Sequence, residues 1–273
     1  MQWKITYFGG YAGAVLGLAY TVASGNWYLY LASLIYWMFF CRLICQIVGL
    51  HKYWTHRTFE TGPVQRFVLA FGSIMCGTGS PYTWAVHHRH HHQHSDTELD
   101  VHSPKNIGPL MTLLGYWVLK PNDWWYNKGI KLTHRDLVTD KLVMHVHKNY
   151  WRYWYALLAI ALVVDWRIAL LFVVQPIGLS LFVHGVNNLF SHSQRFPGSY
   201  TNYDLKDNSR NLPWWMNFLL LGEGYHHNHH ARPWSYDNAD QPGEWDFSGQ
   251  VIKYLFDKHR GSQGSEYNKR QNI

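Results

Sequence analysis

The stretch ITYFGGYAGAVLGLAYTVASGNWYLYLASLIYWMFFC, Ile5–Cys41, decides the fold because its 37 residues include no charged side chain. About 20 apolar residues cross a bilayer as a helix, so this stretch is long enough for two crossings. Ser24–Trp27 (SGNW) interrupts it with residues typical of a turn. We therefore predict two membrane helices, Ile5–Ala23 and Tyr28–Leu50. The alternative, a buried hairpin in a soluble protein, lacks an obvious partner to cover so much apolar surface.

A second apolar hairpin is predicted at Tyr150–Phe190, with its turn at Val164–Arg167 (VDWR). Trp and Tyr crowd the ends of both hairpins, as they do at membrane interfaces. We therefore predict an all-α integral membrane protein with four transmembrane helices arranged as two hairpins. Its single domain, 1–273, comprises the first hairpin (5–50), a polar part (51–149), the second hairpin (150–190) and a second polar part (191–273).

The composition supports this class of protein. Only 15% of the residues are charged, compared with about 25% in typical soluble domains, and 17% are aromatic. The formal net charge is +7, but the basic residues form no dense run, so we expect no nucleic-acid partner. The polar part between the hairpins has more Lys and Arg than Asp and Glu. The positive-inside rule therefore predicts that the polar parts and both termini are cytosolic. The polar parts are expected to form a helical cap. Ile107–Leu119 is apolar but short, which predicts a helix on the membrane surface.

Histidine is concentrated in four places in the polar parts. They are HKYWTHR (51–57), HHRHHHQH (87–94), His192 and HHNHH (226–230). Residues three and four apart share one face of a helix, so each HxxHH spacing brings three imidazoles to one side. The tract 87–94 contains this spacing twice, starting at His87 or at His88, and helical geometry alone does not choose between them. Two predicted membrane crossings separate the second histidine cluster from the third. All four clusters are therefore expected at the same membrane surface.

The number of histidines indicates two metal ions. Three histidines make one catalytic zinc site, whereas eight or nine exceed even two such sites. Two adjacent ions of higher coordination number fit better, and redox-active iron suits an apolar, unreactive substrate. A soluble di-iron bundle needs two Glu-x-x-His motifs, but only Glu223-x-x-His226 occurs here. Glu223 is therefore expected to orient its neighbours.

With these motifs, the chain resembles the membrane-bound fatty acid desaturases, specifically the stearoyl-CoA or Δ9-type acyl desaturases. The matching stretches are GLHKYWTHR, WAVHHRHHHQHSDTELDVHSP, NNLFSH and DNSRNLPWWMNFLLLGEGYHHNHHARP. The resemblance implies four spans, a cytosolic cap and two irons bound by about nine histidines. It also implies that dioxygen and two electrons are used to remove two hydrogens from an unactivated acyl chain, giving a cis double bond, expected at Δ9.

The resemblance also assigns roles to individual residues. Its second histidine box reads His-Arg-x-His-His, which selects the triplet starting at His88. The expected metal ligands are His51, His56, His88, His91, His92, His192, His226, His229 and His230, with Asn188 acting through a water. His227 stands where the family often has Asn. Asp96, Asp100 and His102 resemble groups that orient ligand imidazoles, although a plain polar loop is the alternative.

Substrate and partners follow from the same resemblance. A fatty acyl-CoA or acyl lipid is expected to bind at the basic cytosolic face, with its tail in an apolar tunnel. Tyr36, Trp37, Phe39 and Phe40 are candidates for the tunnel floor, and core packing is the alternative. Electrons are expected from a separate cytochrome or ferredoxin with its reductase. The rival functions are a hydroxylase or ketolase of the same histidine-rich class and a membrane metal-binding or transport protein. A transporter would need a polar path through the spans.

Overall fold

The computed structural model describes residues 2–115, 134–193 and 196–259. These residues form helices and loops, with two isolated β-bridges and no strand. The helices are α1 Gln2–Ser24, α2 Trp27–Tyr36, π1 Trp37–Thr55, α3 Pro63–Cys76, α4 Pro81–His94, α5 Pro104–Ile107, α6 Pro109–Leu113, α7 Arg135–Val138, α8 Lys141–Val164, α9 Trp166–Ile168, π2 Ala169–Val174, α10 Gln175–Ser191, α11 Trp214–Leu219, α12 His226–Ala231, α13 Phe247–Val251 and π3 Ile252–Phe256. The predicted all-helical class is thus confirmed for the described part of the chain.

Three continuous helical segments in the described part are long and apolar enough to cross a membrane. They are Gln2–Ser24, Trp27–Thr55 and Trp166–Ser191. Helix α8 occupies the position of the remaining predicted span and has 24 residues, but six of its first twelve residues are polar and it is not among the three. Four spans therefore stay a prediction. Both predicted turns separate helices, because α1 ends at Ser24 and α8 ends at Val164.

The predicted surface helix Ile107–Leu119 is replaced by two short helices, α5 and α6, where it is described. Gly108 separates them with φ +79°, a conformation that glycine adopts without strain. Pro109 starts the second helix at a position where its missing N–H costs nothing. The part from residue 116 onward lies outside the described residues.

The chain divides into two compact units. The first comprises Met1–Leu50, Phe67–Trp84 and Val118–Phe182, and the second comprises His51–Arg66, Ala85–Trp117 and Val183–Ile273. In the first unit, α1 and α10 approach so closely that a Cβ on Gly10 would lie 2.9 Å from the backbone nitrogen of Gly178. Small residues allow such packing between membrane helices.

The four candidate tunnel residues belong to the first unit. The ring of Tyr36 stacks on Phe40 at 5.6 Å between ring centroids, and the indole N–H of Trp37 donates to the hydroxyl of Ser180 at 3.1 Å. Phe39 is 46% exposed. These contacts show packing for three of the four residues, and the tunnel stays a prediction.

The helix that carries the first histidine box continues α2 as a π-helix over Trp37–Thr55. Hydrogen bonds of a π-helix join residues five apart, and the N–H of His56 donates to the carbonyl oxygen of His51 at 3.3 Å. The HxxxxH spacing therefore matches the local helical repeat. It brings the two imidazole centroids to 5.1 Å, both in the second unit.

Candidate metal centre

Nine histidines meet in the second unit as two groups. The five-histidine group consists of His51, His56, His88, His92 and His229. The four-histidine group consists of His91, His192, His226 and His230. Within each group, one ring nitrogen from every member lies within 4.8 Å of all the others. These are the nine histidines named as expected ligands, and their role as ligands stays a prediction.

Each HxxHH motif divides its three histidines between the two groups. In α4, His88 and His92 join the five-histidine group, whereas His91 joins the four-histidine group. In α12, His226 and His230 join the four-histidine group, and His229 joins the other. The sequence had placed all three imidazoles of a motif together. The structure shows instead that the residues four apart form a pair, and that the third ring faces the neighbouring group.

Distances between imidazole nitrogens are those of ligands around a common point. The Nε2 atoms of His88 and His92 lie 3.1 Å apart, and those of His226 and His230 lie 3.1 Å apart. The Nε2 atom of His229 lies 2.9 Å from that of His51 and 3.0 Å from that of His92. Two nitrogens that bind one metal ion at about 2.1 Å, with a right angle at the metal, lie about 3.0 Å apart. The donor set therefore fits metal ions with more than four ligands.

Four of the nine histidines direct their other ring nitrogen at a carboxylate. The Nδ1 atoms of His51, His91, His192 and His230 lie 2.7, 2.9, 2.8 and 2.7 Å from oxygens of Glu223, Asp100, Asp96 and Asp207, respectively. A carboxylate at Nδ1 fixes the ring and leaves Nε2 unprotonated, which is the form that binds metal. Sequence reasoning named three of these acids and missed Asp207. No motif marks Asp207, since only the fold brings it to His230.

The Asp96 carboxylate, which faces His192, is held in place by hydrogen bonds from two other residues. Asp96 has φ +58°, uncommon for a residue with a side chain. Its carboxylate accepts from the hydroxyl of Ser103 at 2.7 Å and from the N–H of Asn208 at 2.8 Å. Burial opposes ionisation, but the bond from His192 and these donors lower the pKa of Asp96 to about 2. Asp96 is therefore an anion at neutral pH.

Asp100 and Asp207 are held as anions in the same way. Burial would raise the pKa of each carboxyl, but the interaction with His91 or His230 outweighs it and holds the pKa well below the usual range. Asp100 also accepts from the N–H groups of Asp96 and His102, both at 2.9 Å. Two of the expected ligand histidines, His91 and His230, therefore each face a charged carboxylate.

Most of the imidazoles favour the neutral state. Burial, followed by repulsion from neighbouring histidines, lowers the pKa of His88, His92, His226 and His229 well below the usual value. His91 differs, because the nearby Asp100 overcomes the effect of burial and raises its pKa. Neutral imidazole is the metal-binding form, so burial prepares the cluster to bind a cation.

Arg89 joins the first two histidine boxes. It lies between His88 and His91 on α4 and is buried, and its Nε donates to the carbonyl oxygen of Thr55 at 2.8 Å. This carbonyl belongs to the last turn of π1, where a helix has acceptors without partners of their own. Arg89 thereby fixes the end of the helix that carries His51 and His56.

The third box is held by the loop that precedes it. The side-chain oxygen of Asn217 accepts from the N–H of Tyr225, the residue before α12, at 3.2 Å. A Cβ on Gly224 would lie 2.9 Å from the Cα atom of Asn217, so this approach needs glycine. These contacts place the first turn of α12.

The other histidines of the boxes make different contacts. His227 lies 2.9 Å from the hydroxyl of Ser209 and 3.0 Å from the carbonyl oxygen of Tyr203 through its two ring nitrogens. The Nε2 atom of His90 lies 3.1 Å from the carbonyl oxygen of Leu99, and its ring packs on His94 at 4.4 Å. None of them, nor His87, belongs to either group.

His102 and Asn188 lie beside the four-histidine group. His102, Asp100 and His91 offer atoms within 4.8 Å of one another. The side-chain nitrogen of Asn188 donates to the carbonyl oxygen of His102 at 2.6 Å. A role of Asn188 in holding a metal-bound water stays a prediction.

Comparisons with known proteins all find desaturases. The fatty acid desaturase family matches residues 25–239. The Delta-9 desaturase-like 4 protein of Arabidopsis thaliana is 31% identical over 72% of this chain and 63% of its own length. An acyl-CoA desaturase of Cyprinus carpio is 26% identical over 75% of this chain and 64% of its own. The sn-1 stearoyl-lipid 9-desaturase of Anabaena variabilis is 27% identical over 76% and 74%. The chain thus spans less than two thirds of the plant and fish relatives.

Proposed function

We propose that this chain, which belongs to the fatty acid desaturase family, is an acyl desaturase that introduces a cis double bond into a long-chain fatty acyl thioester or acyl lipid. The observation that carries the proposal is the arrangement of nine buried or half-buried imidazoles in groups of five and four. The names of the similar proteins include both acyl-CoA and acyl-lipid desaturases, and several specify position 9. We therefore propose Δ9 as the position.

The five-histidine and four-histidine groups would each hold one iron ion, with Asn188 adding a water to the second. When bound, the two irons supply the redox chemistry with dioxygen that an unactivated methylene chain requires. The reaction removes two hydrogen atoms, that is two protons and two electrons, from adjacent carbons; an electron donor supplies two more electrons, and water supplies two more protons. One dioxygen is thereby reduced to two waters.

The residues of the chain position the metal ligands and exclude water. Glu223, Asp96, Asp100 and Asp207 each hold a ligand imidazole so that its Nε2 atom points into the cluster. Burial keeps bulk water from reactive species and confines the acyl chain to one path. The regiochemistry then depends on how far the chain enters, because position decides which carbons meet the oxidant.

Several further features complete the proposal. We propose four spans, with α8 as the third, and a cytosolic active site and termini. We propose Tyr36, Trp37, Phe39 and Phe40 as the end of the acyl tunnel. The electron donor is a separate cytochrome or ferredoxin with its reductase. The excess of basic residues suits a thioester or lipid substrate that carries phosphate.

The decisive experiment is expression of the chain in cells that lack their own Δ9 desaturase, with the double bonds in their fatty acids located by mass spectrometry. New Δ9 unsaturation is expected. Hydroxylated or keto fatty acids would instead support the rival oxygenase, and unchanged fatty acids with iron-loaded protein and a supplied donor would contradict both.

A matched pair of variants links the activity to the cluster. His229→Ala should abolish unsaturation and lower the bound iron, because its Nε2 lies within 3.0 Å of two other ligand nitrogens. His227→Ala is the control from the same helix, since its ring faces Ser209 and Tyr203. Full activity of His229→Ala would reject this ligand set.

A further inference from the structure

A patch of exposed apolar side chains lies on α11, next to the third histidine box. Trp214, Trp215, Phe218 and Leu219 are 73%, 46%, 61% and 60% exposed, respectively. They follow an i, i+1, i+4, i+5 pattern, so they share one face of the helix. No charged residue occurs from Asn211 to Gly222. Exposed apolar clusters of this kind mark a surface that contacts a protein or a membrane.

The opposite face of α11 packs against the protein. Asn217 is buried, and its side chain binds the N–H of Tyr225 at 3.2 Å and the carbonyl oxygen of Trp245 at 3.2 Å. The helix therefore cannot turn its apolar face inward without breaking these bonds. The exposed face needs an occupant from outside.

The position of α11 relative to α10 identifies this occupant. Helix α10 ends the segment Trp166–Ser191, one of the three that can cross a membrane. The N–H of Arg210 donates to the carbonyl oxygen of Ser191, the last residue of this segment, at 2.7 Å. The segment that leads into α11, from Arg210 to Pro213, is thus hydrogen-bonded to the end of this candidate membrane helix.

A row of aromatic rings makes the same connection through side chains. Phe190, in the last turn of α10, contacts Phe196 at 4.8 Å between ring centroids. Phe196 in turn contacts Trp215 at 6.1 Å. Aromatic side chains therefore connect the last turn of α10 to α11, and a span that ends at Ser191 would place α11 at the membrane interface. Trp is enriched at this level because its ring is apolar and its N–H is polar.

We propose that α11 is an interfacial membrane anchor, whose four exposed side chains enter the boundary between lipid headgroups and acyl chains. Such a helix lies in the plane of the membrane with its apolar face about 5–10 Å below the headgroups. Because Asn217 binds Tyr225 beside His226, the anchor ties the third histidine box to the bilayer surface. The inference rests on α10 crossing the membrane and is independent of whether the chain desaturates.

Fluorescence quenching by lipids tests the anchor. Phe218→Cys, labelled with an environment-sensitive dye, is placed in nanodiscs with one chain per disc. Leu99→Cys is the matched control, because Leu99 is 52% exposed but lies between Glu98 and Asp100. The unsubstituted chain measures the background, since Cys41, Cys45 and Cys76 are fully buried.

The label at position 218 should emit at a shorter wavelength than the label at position 99. Lipids brominated near the headgroup should quench about half of its fluorescence or more, and lipids brominated near the chain end should quench less. The label at position 99 should respond to neither. A water-like spectrum at position 218, or equal quenching at both positions, overturns the proposal, as would shielding seen only with two chains per disc. Leu219→Cys repeats the test if Phe218→Cys does not fold.

Discussion

The carboxylate of Asp207 lies 2.7 Å from Nδ1 of His230, whose Nε2 lies 3.1 Å from that of His226. Asp207→Asn keeps the size of the side chain but removes its charge. We expect iron to bind about 10–100-fold more weakly, as found when partners of ligand histidines are lost. Iron content after dialysis against graded chelator measures this. Asp204→Asn, at an exposed position nearby, should leave the iron content unchanged; equal loss in both variants would contradict the role of Asp207.

The register of the second box can be tested with two adjacent histidines. His88 belongs to the five-histidine group, whereas His87 belongs to neither group, although both are buried. His88→Ala should therefore abolish activity and reduce bound iron, and His87→Ala should keep most of both. Iron content and product formation are measured together. The reverse result would mean that the ligand triplet begins at His87.

Arg89 should matter for the stability of the second unit as well as for iron binding. Its bond to the carbonyl oxygen of Thr55 is buried, and loss of a charged partner costs about 1.5–3 kcal/mol. Arg89→Met should lower the free energy of unfolding by this amount and reduce iron uptake, because the end of π1 loses its anchor. Arg89→Lys should recover part of both. Thermal unfolding and iron content are the measurements, and an unchanged Arg89→Met protein would exclude the anchoring role.

Substitutions of two glycines can distinguish the cost of backbone strain from the cost of steric overlap. Gly222 and Gly243 have φ values of +103° and +92°, but a Cβ on Gly222 would overlap the carboxylate of Asp246, whereas one on Gly243 meets no atom within 4 Å. Gly243→Ala should cost about 1–2 kcal/mol from conformation alone. Gly222→Ala should cost clearly more and displace the loop before the third box. The two losses are compared by chemical unfolding; equal values would show that the loop relaxes freely.

Removal of metal should destabilise the second unit. Without a cation, buried Nε2 atoms about 3 Å apart must share protons or separate, as with His192 and His226 at 3.0 Å. Chelation should therefore lower the melting temperature, and iron should restore it because binding to the native state stabilises it. His227→Ala should show the same shift. A melting temperature that does not respond to iron would contradict a resident metal.

Local patterns in the sequence determined the helical class, the two turns at Ser24–Trp27 and Val164–Arg167, and the nine histidines that the structure brings together. These features depend on hydropathy over 20 residues or on spacings of three to five residues, which a helix converts directly into geometry. The HxxxxH spacing indicated proximity of His51 and His56, and the π-helix supplies the physical reason.

Only the tertiary structure decided how the histidines divide and what orients them. The split of each HxxHH motif depends on where His51, His56 and His192 arrive from other helices. The pairing of Asp207 with His230 spans 23 residues without a periodic signal. Such contacts arise from packing between distant segments, and each stabilises little until the rest of the second unit holds its partners in place. The sequence alone therefore specified the nine histidines, and the fold divided them between the two groups.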